Sequence, residues 1–324
     1  MVQFTLLNVA LDLETDDAGF IAEFESVFGG RGDGGVDGLP RAALSARLTA
    51  PVADLPGELI IRGDTIADPS GFLLGFSSPT IPLRVCEAAD EGWSSLALGD
   101  DDVPIFSFRG DVCRFRGVPR WRRIVAHYLF LRMIAMRQEA LFFHAASVGI
   151  GGNGVMLIGP KGSGKSTLSL GLASRGHVFL GDETAAYVPA SRLLLPFRRP
   201  AGVKPGPRVD AVTRSLARVE ARTDEEGILR VDAAELFDLA PATPLPLSGV
   251  VFLSGFGDPP AIEAIQAGRD ELAIMQPMAT TLSNAPATSR VFQMIRLLAS
   301  VRCYKMTVGN PDTSVQRLEE VFSQ

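Results

Sequence analysis

The segment Gly159-Pro160-Lys161-Gly162-Ser163-Gly164-Lys165-Ser166, continued by Thr167, constrains this chain more than any other stretch. It fills the pattern G-x-x-x-x-G-K-S. The apolar run Val155 to Ile158 before it predicts a strand, and the sequence from Lys165 to Ser174 predicts a helix after it. Glycines at 159, 162 and 164 let the backbone wrap closely and turn its N–H groups inward. Loop and helix N-terminus then form a cradle for phosphate charge. Lys165 would reach the β and γ oxygens of a nucleotide, and the Ser166 hydroxyl would join the oxygen shell of a Mg²⁺ ion.

A phosphate cradle names no reaction; acids placed opposite it do. The predicted strand Val178 to Leu180 runs into Gly181-Asp182-Glu183, directly after the helix that leaves the loop. Two adjacent carboxylates can divide the labour, Glu183 holding Mg²⁺ and Asp182 accepting the proton of an attacking hydroxyl, or the reverse. In many motor and transporter ATPases the second acidic motif lies several elements further on, and no L-S-G-G-Q-type signature follows this loop. A transporter ATPase is therefore a poor fit.

The rest of the chain sets the frame. Its 324 residues are enough for about two domains. A net charge of −6 offers no general attraction for nucleic acid or anionic lipid, so neither is an expected partner. Cys86, Cys113 and Cys303 form no C-x-x-C pair, which fits free thiols in a reducing compartment. With no signal-like N-terminus and no apolar run of membrane-spanning length, the cytoplasm is the expected location.

Residues 1–118 predict a β-rich N-terminal domain of short extended pieces, Val2 to Val9, Glu58 to Arg62, Gly71 to Phe76 and Ile105 to Phe108, with no helix. The glycine-dense stretch from Gly29 to Gly38 reads as a loop, and Asp100 to Asp102 as a solvated turn. Six arginines between Arg109 and Arg123 make a local basic patch, suited either to an acidic partner or to a solvated strand edge and helix start. Residues 119–324 predict an α/β domain entered by a connecting helix over 119–138. Within it Leu141 to Val148 and Val155 to Ile158 predict a hairpin about Gly151-Gly152-Asn153-Gly154. Val250 to Leu253 and Tyr304 to Val308 predict further strands. Thr288 to Ser300 predicts an amphipathic helix facing inward with Val291, Met294, Ile295 and Leu298, and Ser314 to Phe322 a last helix.

Several of these segments together resemble the catalytic core of HPr kinase/phosphorylase, and more closely its shorter HPr-kinase-related relatives. They are His144-Ala145-Ala146-Ser147-Val148, the Gly152-Asn153-Gly154 turn, Gly159 through His177, VFLGDE through Glu183, and Pro196 to Pro200 with Lys204. The resemblance spans about 140–206 well and about 248–310 loosely. It implies an α/β P-loop kinase core of the HPr kinase and phosphoenolpyruvate carboxykinase type, using ATP and Mg²⁺ to phosphorylate a serine of a peptide or protein, often as a homo-oligomer. By the resemblance Asp182 is the general base, Glu183 lies near the metal, and His144 borders the site. Arg198, Arg199 and Lys204 could clamp phosphate oxygens or equally be solvated surface charges, and the resemblance favours Lys204 among them. On residues alone, a lone histidine on an apolar strand such as His144 is more often a hydrogen-bonded core residue than a catalytic one, and His177 reads as a helix C-cap. Glutamate at 183 replaces an aspartate of the true HPr kinases, and their downstream phosphorylase motif is not found, which weighs against HPr itself as acceptor. A small-molecule kinase and a nucleotide-gated binding module remain the alternatives.

Overall fold

In the computed structural model, the described residues are 1–29, 36, 38–63, 83–86, 93–98, 104–203, 222–223, 228–279 and 287–323. The expected strand Gly71 to Phe76, most of the glycine stretch, the Asp100 to Asp102 turn and Lys204 lie outside them. Two compact units emerge, the first running to Arg137 apart from a segment around residues 26–37, the second from Gln138 onward. The boundary therefore falls after the connecting helix and not before it.

In the first unit, eight strands share one sheet: β1 (Val2–Leu6), β2 (Val9–Glu14), β3 (Ala42–Thr49), β4 (Gly57–Arg62), β5 (Leu83–Cys86), β6 (Ser94–Leu98), β7 (Pro104–Arg109) and β8 (Val112–Phe115), in the order β1-β2-β3-β4-β8-β7-β6-β5. Neighbours pair antiparallel except β2 with β3, which run parallel. A parallel pair requires a crossover, and helix α1 (Ala18–Phe28) supplies it. This corrects the all-extended reading of the N-terminal part. Asp17 caps the helix, its Oδ1 accepting from the Phe20 amide at 2.8 Å.

Helix α2 (Trp121–Ala135) is buried along nearly all of its length beyond Val125, so its apolar residues fill a core and not a single stripe. Three arginines of the basic patch pair inside the unit, Arg114 with Glu58 at 2.8 Å, Arg122 with Asp17 at 3.1 Å and Arg123 with Glu23 at 2.9 Å. Burial alone would raise the Asp17 pKa, but Arg122 and the Phe20 amide hold it below the ordinary carboxylate value. Cys113 here and Cys303 in the second unit are buried free thiols.

The second unit is built on a nine-stranded sheet. Its strands are β9 (Leu141–Phe143), β10 (Ala146–Ile150), β11 (Asn153–Ile158), β12 (Val178–Gly181), β13 (Ala185–Val188) and β14 (Leu193–Leu195), together with β18 to β20 below. A small separate sheet joins β15 (Ala201–Val203), β16 (Arg222–Thr223) and β17 (Leu229–Val231). Then come β18 (Leu245–Phe256), β19 (Ala261–Ile265) and β20 (Arg302–Val308). The helices are α3 (Lys165–Ser174), α4 (Ala233–Leu236), α5 (Arg269–Met275), α6 (Ala287–Ser300) and α7 (Pro311–Phe322).

The main order is β12-β10-β11-β18-β14-β13-β9, with β20 on β18 and β19 on β20. The predicted β10–β11 hairpin is present. The expected single strand Leu141 to Val148 is broken at His144-Ala145: β9 goes to β13, while β10 goes to β11 and β12. Helices cover both faces. Leu168 and Leu172 of α3 and Val315, Leu318 and Phe322 of α7 pack with Val148, Val155, Leu157 and Val251. On the other face Met275 of α5 and Met294, Leu297 and Leu298 of α6 pack with Met156, Ile158, Val250 and Phe252. Strands buried on both faces read as unbroken apolar runs, which is why Val155 to Ile158 carries no polar alternation. Ile295 was expected on the inner face of α6, but it is 44% exposed and Leu297 takes that place.

Helix α3 ends in a Schellman turn. Gly176 (φ +86°) donates to the Ala173 carbonyl and His177 to the Leu172 carbonyl, while the His177 ring meets Glu319 of α7 at 2.9 Å. Among the described residues no helix is long and apolar enough to cross a membrane.

Close packing of α7 on β18 generates the first prediction. A Cβ at Gly249 would overlap the Phe322 ring. Gly249→Ala should therefore lower stability by about 1–3 kcal/mol, read as a lower urea midpoint at unchanged slope. A midpoint equal to that of the parent would contradict this packing.

Candidate active site

Four strands of the second unit point the same way. β11 and β12 are both antiparallel to β10, β18 is parallel to β11, and β20 is parallel to β18. Their carboxyl ends therefore share one edge, and β10 starts there. Open α/β sheets bind ligands outside this kind of edge. It carries the glycine loop after β11, the acids after β12, and His144 ahead of β10.

The loop turns through left-handed backbone at Gly162 (φ +85°) and Gly164 (φ +99°), conformations that a side chain would strain. Gly164 is the N-cap of α3 and contributes no side-chain hydrogen bond, so the first-turn amides are left to a ligand or solvent. Lys165 is 7% exposed and curls back across its own loop, Nζ donating to the Gly159 carbonyl at 2.7 Å and the Pro160 carbonyl at 3.1 Å. The Ser163 hydroxyl is buried without a partner. Pro160 and Lys161 are exposed, and Ser166 and Thr167 half-buried.

Asp182 is 2% exposed, and neither of its carboxylate oxygens has a well-formed hydrogen bond. Its pKa is pushed up to about 6, first by burial and then by the Glu183 charge; the Ser166 hydroxyl, the Glu183 amide and Lys165 partly offset this. Asp182, Ser166 and Lys165 thus meet in one place.

Glu183 faces elsewhere. Its backbone is left-handed (φ +63°), and its carboxylate pairs with Arg199 at 3.1 Å and Arg230 at 3.5 Å. The Glu183 carbonyl lies 3.1 Å from His144 Nδ1, a hydrogen bond when that nitrogen carries the proton. The His144 pKa is held below that of ordinary imidazole, first by partial burial and then by the Lys165 ammonium, although the residue as a whole is solvent-exposed.

Arg198, considered as a phosphate clamp, is a structural strut: Nε donates to the Phe179 carbonyl at 2.7 Å and a terminal nitrogen to the Ala240 carbonyl at 2.9 Å. Arg199 spans Glu183 and, at 3.4 Å, the Thr184 hydroxyl. Sequence reasoning missed Arg230, a lone arginine in the short apolar strand β17 with no motif around it.

The Ser166 hydroxyl suits a hard dication that takes its remaining ligands from phosphate and water. A half-buried hydroxyl in the first turn of α3, with the Asp182 charge beside it, fits Mg²⁺ brought in with a nucleotide. Among the described residues no group of three His, Cys, Asp or Glu side chains is placed to hold a metal by itself.

No family model matches the chain, and no curated protein matches it. Among solved structures, one that matches is the Hpr(Ser) kinase/phosphatase from Coxiella burnetii, at 17% identity and a TM-score of 0.30, over 56% of this chain and 99% of the other. An overlay that loose carries no information on activity.

Asp182 generates the second prediction. Its folded pKa lies above the unfolded value, so between about pH 4 and 6 the native state holds a proton that the unfolded state has lost, and stability falls as pH rises through that window. Asp182→Asn should remove this penalty, raising stability at pH 8 by up to about 3 kcal/mol with little gain below pH 4. Equal melting curves for the two proteins at pH 8 would contradict a buried carboxylate with a raised pKa.

Proposed function

We propose that the protein is an ATP-dependent phosphotransferase that moves the γ-phosphate to a hydroxyl, with a serine of a peptide or protein as acceptor. The observation that carries the reading is the Asp182 carboxylate, buried without a well-formed hydrogen bond beside Ser166 and Lys165 of the glycine loop. A group that only held the fold together would be paired, and leaving a buried carboxylate unpaired costs stability. Such a cost is understandable where the group must accept a proton during turnover.

In this reading the loop from Gly159 to Thr167 holds the phosphates through its amides, and Lys165 transfers its ammonium from the loop carbonyls to the β and γ oxygens. Ser166 would hold a Mg²⁺ ion brought in with the nucleotide, which would supply charge neutralisation for the phosphates. The acceptor oxygen attacks the γ-phosphorus in line as the bond to the β–γ bridging oxygen breaks, and its proton passes to Asp182. Glu183 keeps the turn beneath Asp182 in place through Arg199 and Arg230, and His144 supports the same turn from the Glu183 carbonyl. The preference for a serine on a peptide or protein comes from the sequence resemblance over residues 140–206.

Mg²⁺ with ATP should raise the melting temperature, a stabilisation of about 2.7 kcal/mol at a hundredfold excess over the dissociation constant, and Lys165→Ala should remove most of it. Asp182→Asn should keep that shift while transfer of labelled γ-phosphate falls by about 10² to 10⁴. No shift with any nucleoside triphosphate, or transfer at the parent rate in Asp182→Asn, would contradict the reading.

A further inference from the structure

A large aromatic side chain stands beside the glycine loop, on the side away from the acids. Phe256 ends β18 and is 53% exposed. A Cβ built at Gly164, the N-cap of α3, would lie 3.9 Å from the Phe256 ring and 3.5 Å from Val308. The ring therefore flanks the helix N-terminus at which phosphate charge would sit.

Strand order gives this placement a direction. Along the sheet β12 and β18 lie on opposite sides of β11, so Asp182 and Phe256 flank the loop from opposite sides. A triphosphate lying across the loop with its γ end toward Asp182 must point its ribose and base the other way, toward Phe256. The ring is also presented from ordered backbone. Phe256 stands in register with Val308 of β20, Gly257 donates to the Val308 carbonyl at 3.0 Å, and the Ser254 hydroxyl donates to the Met306 carbonyl at 3.1 Å. An aromatic side chain costs little conformational entropy to hold still, and every nucleobase has a π-face that can stack on it.

We propose that Phe256 is the platform on which the base of the bound nucleotide stacks. The inference rests on the nucleotide reading of the loop and extends it to the other end of the ligand. Val308 and the bare Cα of Gly164 would border the same surface.

The test compares ATP with inorganic tripolyphosphate, which keeps the phosphates and lacks the base, on the full chain. Phe256→Ala should weaken ATP binding about tenfold and leave tripolyphosphate binding unchanged, whereas Lys165→Ala should weaken both. Phe256→Trp should retain ATP affinity, and its indole emission should be quenched by ATP and not by tripolyphosphate. Equal losses for both ligands in Phe256→Ala would make the ring a support of the loop and overturn the proposal. So would unchanged ATP affinity, with or without a change in oligomeric state, the latter making Phe256 a protein contact. If the parent protein binds tripolyphosphate but gains nothing from the base, the platform fails while the phosphate site stands. If it binds neither, the nucleotide reading fails and the platform falls with it.

Discussion

A carboxylate removed from water and given no good hydrogen-bond donor is the feature around which the second unit is arranged. Asp182 is in that position because β12 runs parallel to β11 with β10 reversed between them, which delivers its side chain to the edge where the glycine loop begins. Moving β12 to another place in the sheet would separate Asp182 from Ser166 and Lys165. The ammonium of Lys165 meanwhile donates to two carbonyls of its own loop, and its charge lowers the Asp182 pKa against the effect of burial. In the proposed reaction both would turn to a ligand that brings its own phosphate oxygens and cation.

The turn that follows is the counterweight. A left-handed residue other than glycine costs roughly 1–2 kcal/mol, and Glu183 is held there by its ion pairs with Arg199 and Arg230 and by the His144 ring at its carbonyl. The residues surrounding Asp182 thus contribute more to its placement than to any direct contact with it. Strain at one residue, stabilised by several neighbours, is a usual way to keep a functional side chain aimed. It also explains why two adjacent acids in the sequence have such different surroundings in space.

What could be read from the sequence was what depends on local pattern. The strand, glycine loop and helix from Val155 to Ser174 form a contiguous unit whose residues specify their own geometry, and the hairpin about Gly151 to Gly154 is equally local. Helix α1 carried a helical signal in Phe20, Phe24, Val27 and Phe28, but strand-like segments on both sides and the glycines beyond it hid the crossover that the parallel β2–β3 pair requires. The break at His144 was invisible because both halves of the run are apolar; only the choice of different partner strands separates them. Arg198 and Arg230 illustrate the limit for charged residues. Which carbonyl or carboxylate a guanidinium meets depends on chain segments far away in sequence, and Phe256 likewise gains meaning only when β18 is placed beside the loop.

The pH dependence of kcat/KM for Mg²⁺-ATP turnover, with a serine-bearing peptide or water as acceptor, tests the role of Asp182 most directly, since that ratio reports ionisations of the free protein. The account predicts a rate that climbs with pH to a plateau, with a midpoint near the pKa of about 6 that Asp182 has in this environment. Asp182→Asn should lose that limb along with most of its rate. A profile flat from pH 5 to 7, or an ascending limb retained unchanged in Asp182→Asn, would contradict it.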